Sequence, residues 1–320
     1  MAIGTSVLGA LAAAIVLPFI GSAHIDYWRA FAGESPHHEI LFQVRLPRVL
    51  LAMLAGGVLA VSGVIFQALL RDALATPYTL GVSSGASLGA VAAISFGWRE
   101  LAGFSAVWAA AFAGAAVTLL LVMSIASEAR CLSSFTLLMA GVTINSICLA
   151  LILFLHSLAN FGQSFAIVRW LMGGIDPVEY STLGWLAAAV CLPVLYVVRQ
   201  ARAWNLLAVG EEWAVSRGVS TQRLIVLGYL IGSFLTGSVT ALTGPIGFVG
   251  LIVPHALRLG LGADHRILIP CSLFVGAVFL AVCDTVARVI IAPAEVPVGV
   301  VTAILGGPFF IWILRARRIS

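Results

Sequence analysis

Long apolar runs alternate with short polar links along most of the chain. Each run is a continuous series of Ala, Leu, Val, Gly and Ile, without the period-two alternation of a membrane β-strand. Most runs are close to the ~20 residues that an α-helix needs to cross a hydrocarbon layer of ~30 Å. The pattern predicts an all-α, polytopic membrane protein rather than a β-barrel. About ten transmembrane helices are predicted, at about 3–21, 46–70, 80–97, 104–127, 135–157, 181–199, 223–243, 246–260, 267–289 and 298–315.

The eighth of these predicted spans is the shortest. Gly244 and Pro245 precede it, and Pro254 is expected to interrupt it, because proline lacks the N–H that a helix interior uses. The first span also has an alternative. The first 23 residues resemble a secretory signal peptide, but they lack its basic start, which favours a retained first span. The chain is otherwise predicted to be one domain, 1–320.

One polar segment, 200–222, separates the sixth and seventh spans, and we call it the elbow. Two short helices are predicted from Leu206 to Gly218, broken near Gly210 and stopped at Gly218. Glu211 and Glu212 at the start of the second helix complement its positive end. We interpret the elbow as a binding site for a soluble partner protein. The alternative is a solvated loop without a partner.

Composition supports the membrane class and narrows the chemistry. The chain is 61% hydrophobic and 9% charged, with a mean hydropathy of +1.10. Every basic residue is arginine, and without a lysine the chain cannot form a P-loop ATP site by itself. If the protein uses ATP, another subunit binds it. No nucleic-acid partner and no metal site is predicted.

Arginine distribution predicts the orientation of the chain. Arginines are more frequent on one side of the predicted spans, and Arg315, Arg317 and Arg318 close the last span on that side. Because arginines accumulate in cytoplasmic loops, both termini and the elbow are predicted to be cytoplasmic. The blocks 46–157 and 223–315 then each hold four spans of opposite orientation, which predicts two inverted four-helix repeats, an architecture found in transporters.

Few polar groups lie inside the spans. Asp284 and Arg288 stand four residues apart on the ninth span, where they are able to pair. Ser83 and Ser84 follow Gly81 at the start of a Gly81–Gly85–Gly89 ridge that favours close helix packing. These hydroxyls are candidates for lining a water-filled transport pathway. Ser133 and Ser134, which precede the fifth span, are candidates for the same role.

Four stretches of sequence, in order, resemble one family. They are Arg45-Leu-Pro-Arg48; Gln67 to Pro77 followed by Gly81-Val-Ser-Ser-Gly85; Gly244 to His255 with Arg258 and Asp264-His265-Arg266; and Ala294 to Thr302 with Gly306-Gly-Pro-Phe-Phe310. From about residue 40 to its end, the chain resembles the permease subunits of bacterial ABC importers for iron–siderophore, haem and cobalamin.

The resemblance implies an assembly in the bacterial inner membrane. Two copies of the permease enclose the path, two ATP-binding subunits attach inside, and a periplasmic substrate-binding protein docks outside. ATP and Mg are then bound by the partner subunits, and this chain needs no cofactor and is not itself an enzyme. The residues that match the family's ATPase-coupling turn are Gly210, Glu211, Glu212, Arg217 and Gly218.

The resemblance also implies an outer docking surface and an inner gate. Arg45 and Arg288 match arginines that pair with glutamates of the binding protein, and Arg48 is their neighbour. The alternatives are lipid headgroups for Arg48 and an internal pair with Asp284 for Arg288. Asp72 and Leu74 lie in the loop that resembles part of the cytoplasmic gate. Here the loop reads Asp-Ala-Leu-Ala, where the family commonly has Asn-Pro-Leu-Ala.

Two other functions remain open from the residues themselves. A secondary carrier or channel would need no ATPase partner, but no chain of carboxylates crosses the spans as a proton relay. A membrane-embedded enzyme is disfavoured because no hydrolase motif is present. Among importer substrates, ferric siderophore, haem and cobalamin all remain, with a ferric chelate placed first.

Overall fold

The computed structural model describes residues 1–98, 100–101, 104–127 and 134–316. Ser133, Arg317 and Arg318 lie outside them. Across these ranges the chain forms α1 Ala2–Val16, α2 Tyr27–Phe31, α3 His37–Glu39, α4 Leu46–Leu70, α5 Val82–Ser95, α6 Ala106–Ser127, α7 Ser134–Leu158, α8 Phe161–Leu171, α9 Tyr180–Arg199, α10 Ala201–Val209, α11 Glu211–Ser216, α12 Thr221–Thr243, α13 Val249–Leu261, α14 His265–Val289 and α15 Val298–Ala316.

Four shorter elements complete the described chain. A 3-10 turn, Leu17–Phe19, follows α1, and a π-helical stretch, Ile40–Arg45, leads directly into α4. The strands β1 Glu100–Leu101 and β2 Phe104–Ser105 form one antiparallel pair before α6. The architecture is therefore all-α, as predicted, with a minimal hairpin between two of its helices.

Each of the ten predicted spans corresponds to a helix. Within the described residues, seven helical stretches are long and apolar enough to cross a membrane: Ala2–Phe19, His37–Leu70, Ala106–Ala126, Phe135–Leu158, Tyr180–Arg199, Thr221–Thr243 and His265–Val289. The other three are shorter apolar helices: Val82–Ser95, Val249–Leu261 and Val298–Ile311. The inverted relation between the two four-helix blocks stays a prediction.

Helix α4 is the centre of the bundle and is buried along most of its length. It packs against α12, α13 and α14. Close backbone approach is possible because glycines face the contact: a Cβ on Gly63 would come within 1.9 Å of the Gly250 carbonyl oxygen. A Cβ on Gly89 of α5 would likewise come within 2.0 Å of the Ala110 carbonyl oxygen. Small residues thus provide the helix packing that the ridge predicted.

The structure corrects the predicted interruption at Pro254, because α13 continues through this residue. Proline leaves the carbonyl four residues earlier, that of Gly250, without its helical donor. Gln67 of α4 replaces this donor, with Nε2 3.0 Å from the Gly250 oxygen. Arg258, one turn beyond Pro254, donates in turn to Gln67 Oε1. A neighbouring helix therefore keeps α13 continuous.

Helix α8 has no counterpart among the predicted elements. Its N-terminus is a capping box, in which Asn160 Oδ1 accepts from Gln163 N at 2.9 Å and Gln163 Oε1 accepts from Asn160 N at 3.1 Å. Gln163 Nε2 also donates to the Ser95 carbonyl at 2.9 Å, which attaches α8 to the end of α5. The Asn-x-x-Gln spacing was the available sequence signal for this helix.

Candidate functional site

The elbow has the two helices that the sequence predicted. They are α10 and α11, and Gly210 separates them in an extended conformation. Gly218 follows α11 with φ of 79°, a left-handed conformation that favours glycine, and so it ends the helix as expected. The first helix begins at Ala201, so more of the elbow is helical than the prediction from Leu206 onward.

One face of the elbow is anchored to the membrane helices. Trp204 and Leu207 of α10 are buried, and a Cβ on Gly228 of α12 would meet the Trp204 ring at 2.5 Å. Glu211, in the first turn of α11, accepts a hydrogen bond from Thr221 Oγ1 at 3.3 Å. These contacts fix the position of the elbow against the start of α12.

The opposite face of the elbow is apolar and exposed. Val209 is 73% exposed, Trp213 60% and Val215 56%. The Arg217 guanidinium lies over the Trp213 ring, 5.8 Å from its centroid. A rigid surface with an exposed tryptophan and an adjacent arginine has the composition of a protein contact rather than that of a solvated loop.

The predicted gate and pathway residues occupy different environments. Asp72 and Leu74 are exposed, and Asp72 Oδ1 accepts from Leu74 N at 2.9 Å, which closes a tight turn after α4. Ser83 is buried in α5, whereas Ser84 donates to the Gly81 carbonyl at 2.8 Å. Ser134 begins α7. The structure therefore does not gather these residues into one site, and their gate and pathway roles stay predictions.

Two of the predicted docking arginines, Arg48 and Arg288, belong to a buried network at the ends of α4 and α14 opposite the elbow. Asp284 is 1% exposed, and its Oδ2 lies 3.1 Å from Arg288 Nε, so the predicted internal pair is confirmed. Arg48 contacts the same carboxylate, with Nη2 3.0 Å from Oδ1. It also reaches Glu295, whose Oε2 lies 2.8 Å from Arg48 Nη1. Arg48 therefore binds two carboxylates of its own chain.

Arg45 is buried as well, and its contacts are with the backbone. Its guanidinium lies over Gly21 and donates to the carbonyl oxygens of Phe19 and Ala23, just after the first span. The three arginines are thus brought to one end of the bundle, but each is held by its own chain in this conformation. Their docking role stays a prediction.

A cavity of about 780 Å³ adjoins this charged network. Arg48 and Glu295 contribute polar groups to its wall, and Trp108, Phe165 and Trp170 contribute aromatic rings. Its volume and mixed lining lie within the usual range for sites that hold small molecules. It lies between α6, α8 and the loop before α15.

A second polar cluster joins the elbow to α14, and sequence reasoning assigned it no role. Asn205 Nδ2 donates to Asp264 Oδ1 at 2.7 Å, and the Asn205 side-chain oxygen accepts from His265 N at 2.8 Å. The Asn205 hydrogen bond and that of Arg266 N lower the pKa of the Asp264 carboxyl. In the sequence, the Asp264-His265-Arg266 motif indicated one half of this cluster. No sequence feature near Asn205 indicated that it would be the partner of this motif.

Comparison with known proteins identifies the class. The FecCD transport family matches residues 7–316. The hemin transport system permease protein HmuU of Yersinia pestis is 36% identical, covering 97% of this chain and 96% of that protein. The vitamin B12 import system permease protein BtuC of Salmonella paratyphi A is 39% identical, covering 90% of this chain and 86% of that protein.

A solved structure has the same fold over nearly the whole chain. It is described as a metal-chelate type ABC transporter in an inward-facing conformation, and it superposes with a TM-score of 0.84 at 30% identity, covering 98% of each chain. The fold of a multi-pass membrane permease is therefore shared from end to end. With the family match over residues 7–316, these similarities show that the chain belongs to the FecCD transport family.

Proposed function

We propose that this chain is the membrane-spanning permease subunit of an ATP-driven importer for a metal chelate. It works as a homodimer in the inner membrane, with two ATP-binding subunits at the cytoplasmic side and a substrate-binding protein at the periplasmic side. Both termini lie in the cytoplasm. Support comes from family membership and from relatives named as hemin and vitamin B12 permeases.

The observation that carries the proposal is the two-sided elbow. Trp204 and Leu207 anchor one face to the membrane helices, and Val209, Trp213 and Val215 are exposed on the other. A segment that transmits force needs both a stiff attachment and a surface for its partner. Of the predicted coupling residues, Gly210, Glu212, Arg217 and Gly218 lie beside this exposed face, and Glu211 lies at its attachment to α12. We therefore assign the exposed face to the ATP-binding subunit.

The proposed substrate is a bulky chelate. Hemin and vitamin B12, which name two of the relatives, both enclose their metal in a large ring, and the solved relative is described as metal-chelate type. The aromatic cavity of about 780 Å³ lies at the end of the bundle that we place outside, where such a ligand would enter. Haem, cobalamin and a ferric siderophore are the substrates to compare.

Reconstitution tests the proposal directly. The chain is placed in liposomes with an ATP-binding subunit of an ABC importer from the same organism, and uptake of labelled haem, cobalamin and a ferric siderophore is followed with and without ATP. We expect accumulation of one chelate only when the ATP-binding subunit and ATP are both present. Equal transport by the chain alone would instead identify a secondary carrier or channel.

A substitution in the elbow tests its part in this process. Gly218→Val forces a β-branched residue into a left-handed conformation at a cost of about 1–3 kcal/mol, so the turn after α11 is expected to shift and uptake to fall. Gly184→Val is the control, since a Cβ on Gly184 meets nothing within 4 Å. Normal uptake by Gly218→Val, at equal amounts in the membrane, contradicts the assignment of the elbow.

A further inference from the structure

The side chain of Asn205 joins the elbow to the start of α14 by hydrogen bonds. The Asp264 carboxylate only accepts hydrogen bonds, so the Asn205 amide nitrogen faces it, at 2.7 Å. The Asn205 amide oxygen therefore faces His265, and it accepts a hydrogen bond from His265 N at 2.8 Å. His265 Nδ1 lies 2.7 Å from the same oxygen and carries the proton that it donates. Asn205 thus makes three polar contacts with two consecutive residues.

These two residues form the N-terminus of α14. Asp264 is the N-cap residue, and its side chain accepts from Arg266 N at 3.0 Å. The His265 N–H is one of the backbone donors that the first turn of a helix leaves without an internal partner, and Asn205 supplies the acceptor. Asn205 therefore holds both the cap and the first free donor of the helix.

The contact lies at the edge of the packing between α10 and α14, where Trp204 and Leu207 share a buried core with Leu268 and Ile269. A cavity of about 470 Å³ adjoins it, lined by Asn205, Asp264 and His265 together with Arg71 and Arg258. At this edge the directed hydrogen bonds of Asn205 fix the position of α10 relative to the start of α14, so a displacement of one helix is passed to the other. The anchored position of Trp204, the residue before Asn205, makes this part of the elbow stiff.

Helix α14 extends the connection to the opposite end of the bundle. It has 25 residues, which corresponds to a length of about 37 Å. Its far end carries Asp284 and Arg288, and Asp284 binds Arg48 of α4. Midway, Gly276 approaches Gly56 of α4 so closely that a Cβ on Gly56 would lie 2.2 Å from the Gly276 oxygen. The two helices are therefore closely packed at their middle and joined at their outer end.

We propose that Asn205 is the positioning residue through which a movement of the elbow is passed to α14, and through α14 and α4 to the outer end of the permease. The inference rests on the proposed function, because it needs an ATP-binding subunit to move the elbow. It assigns a role to a residue outside the coupling turn 210–218 and to the Asp264–His265 pair.

The test exchanges the two polar groups of the contact. Asn205→Asp places a carboxylate against Asp264, which removes the donor and adds repulsion, and the substrate taken up per ATP hydrolysed is expected to fall at least about fivefold, the lower end of typical coupling between sites. Asp264→Asn in the same chain restores one amide and one carboxylate with their positions exchanged. The double variant is expected to recover to within about twofold of the parent ratio.

Controls separate coupling from folding. Gln200→Glu adds the same carboxylate to the start of α10, away from Asp264, and is expected to keep the parent ratio. The amount of substrate taken up per ATP hydrolysed is always measured on equal amounts of assembled complex. A contact that only stabilises the protein would therefore change the yield of complex but not this ratio. Asn205→Ala, which removes the contact without adding charge, is measured alongside and is expected to lower the ratio in the same direction.

The outcomes are distinct. A parent-like ratio in both Asn205→Asp and Asn205→Ala overturns the role of Asn205, and so does an assembled double variant that stays uncoupled. A parent complex with no ATP-dependent uptake contradicts the proposed function instead, before any variant is compared.

Discussion

Arg48 and Asp284, 236 positions apart in the sequence, form a two-pronged contact between α4 and α14. Arg48 Nη2 lies 3.0 Å from Asp284 Oδ1, and its Nε lies 3.2 Å from Oδ2. The same carboxylate binds Arg288, and all three side chains are buried. One negative charge thus stabilises two guanidinium groups, with Glu295 supplying a second carboxylate at the edge of the network.

Removing this carboxylate's charge is expected to destabilise the protein strongly. Asp284→Asn leaves Arg48 and Arg288 buried without their shared counter-ion, and loss of one partner of a buried pair costs about 3–5 kcal/mol. The measurement is thermal unfolding of the detergent-solubilised chain. Asp176→Asn is the matched control, because its pair with Arg169 is exposed and is expected to contribute at most about 1 kcal/mol.

Equal melting temperatures for Asp284→Asn and Asp176→Asn would show that the network is solvated in the solubilised chain. The buried contact would then be weaker than its geometry indicates, and the arginines would be free to meet another protein.

Gln67 and Pro254 are expected to be energetically coupled. Gln67→Leu deprives the Gly250 carbonyl of its donor, and an unsatisfied buried polar group costs about 1–3 kcal/mol. Pro254→Ala returns an N–H to α13, which satisfies the same carbonyl from within the helix. We therefore expect Gln67→Leu to cost less in the Pro254→Ala background, as measured by a double-mutant cycle of unfolding midpoints.

A strictly additive cycle would mean that Gln67 stabilises the bundle mainly through Arg258. That contact is lost equally in both backgrounds, so it does not contribute to the interaction energy.

The sequence predicted the positions of the long helices because a membrane helix satisfies its backbone internally and is marked by its own apolar residues. The elbow was predicted for a similar reason, since Gly210 and Gly218 act locally. Contacts between distant segments were not predicted. The Arg48–Asp284 pair, the attachment of Asn205 to Asp264 and the passage of α13 through Pro254 each depend on a partner far away in the chain, and an isolated sequence does not indicate which polar residues meet.

Orientation is tested by labelling from one side of the membrane. The chain is expressed without its ATP-binding subunit and with its five native cysteines replaced. Val209→Cys then places a thiol on the exposed face of the elbow, and Ala294→Cys places one in the exposed loop before α15. A maleimide that does not cross membranes is expected to label Ala294→Cys in intact cells, and Val209→Cys only after permeabilisation. The reverse pattern would place the termini outside.

The predicted docking of a binding protein at the outer arginines leads to a salt-dependent test. Arg45 is buried against Phe19, and Arg288 is buried against Asp284. Arg48, in contrast, also pairs with Glu295, whose side chain is 45% exposed. Of the three arginines, Arg48 is therefore the one whose internal partner is most easily exchanged for a carboxylate of another protein.

Glu295→Gln is expected to strengthen this docking. It removes the charge that competes for Arg48, so association of the loaded binding protein at low salt should rise by about two- to fivefold, the range of an exposed ion pair. The gain should shrink towards 1 M salt, where the screening length is about 3 Å. Glu179→Gln, which removes an equal charge at the outer end of α9, is the control. If both variants bind alike at every salt concentration, Arg48 takes no part in docking and Glu295 serves only the internal network.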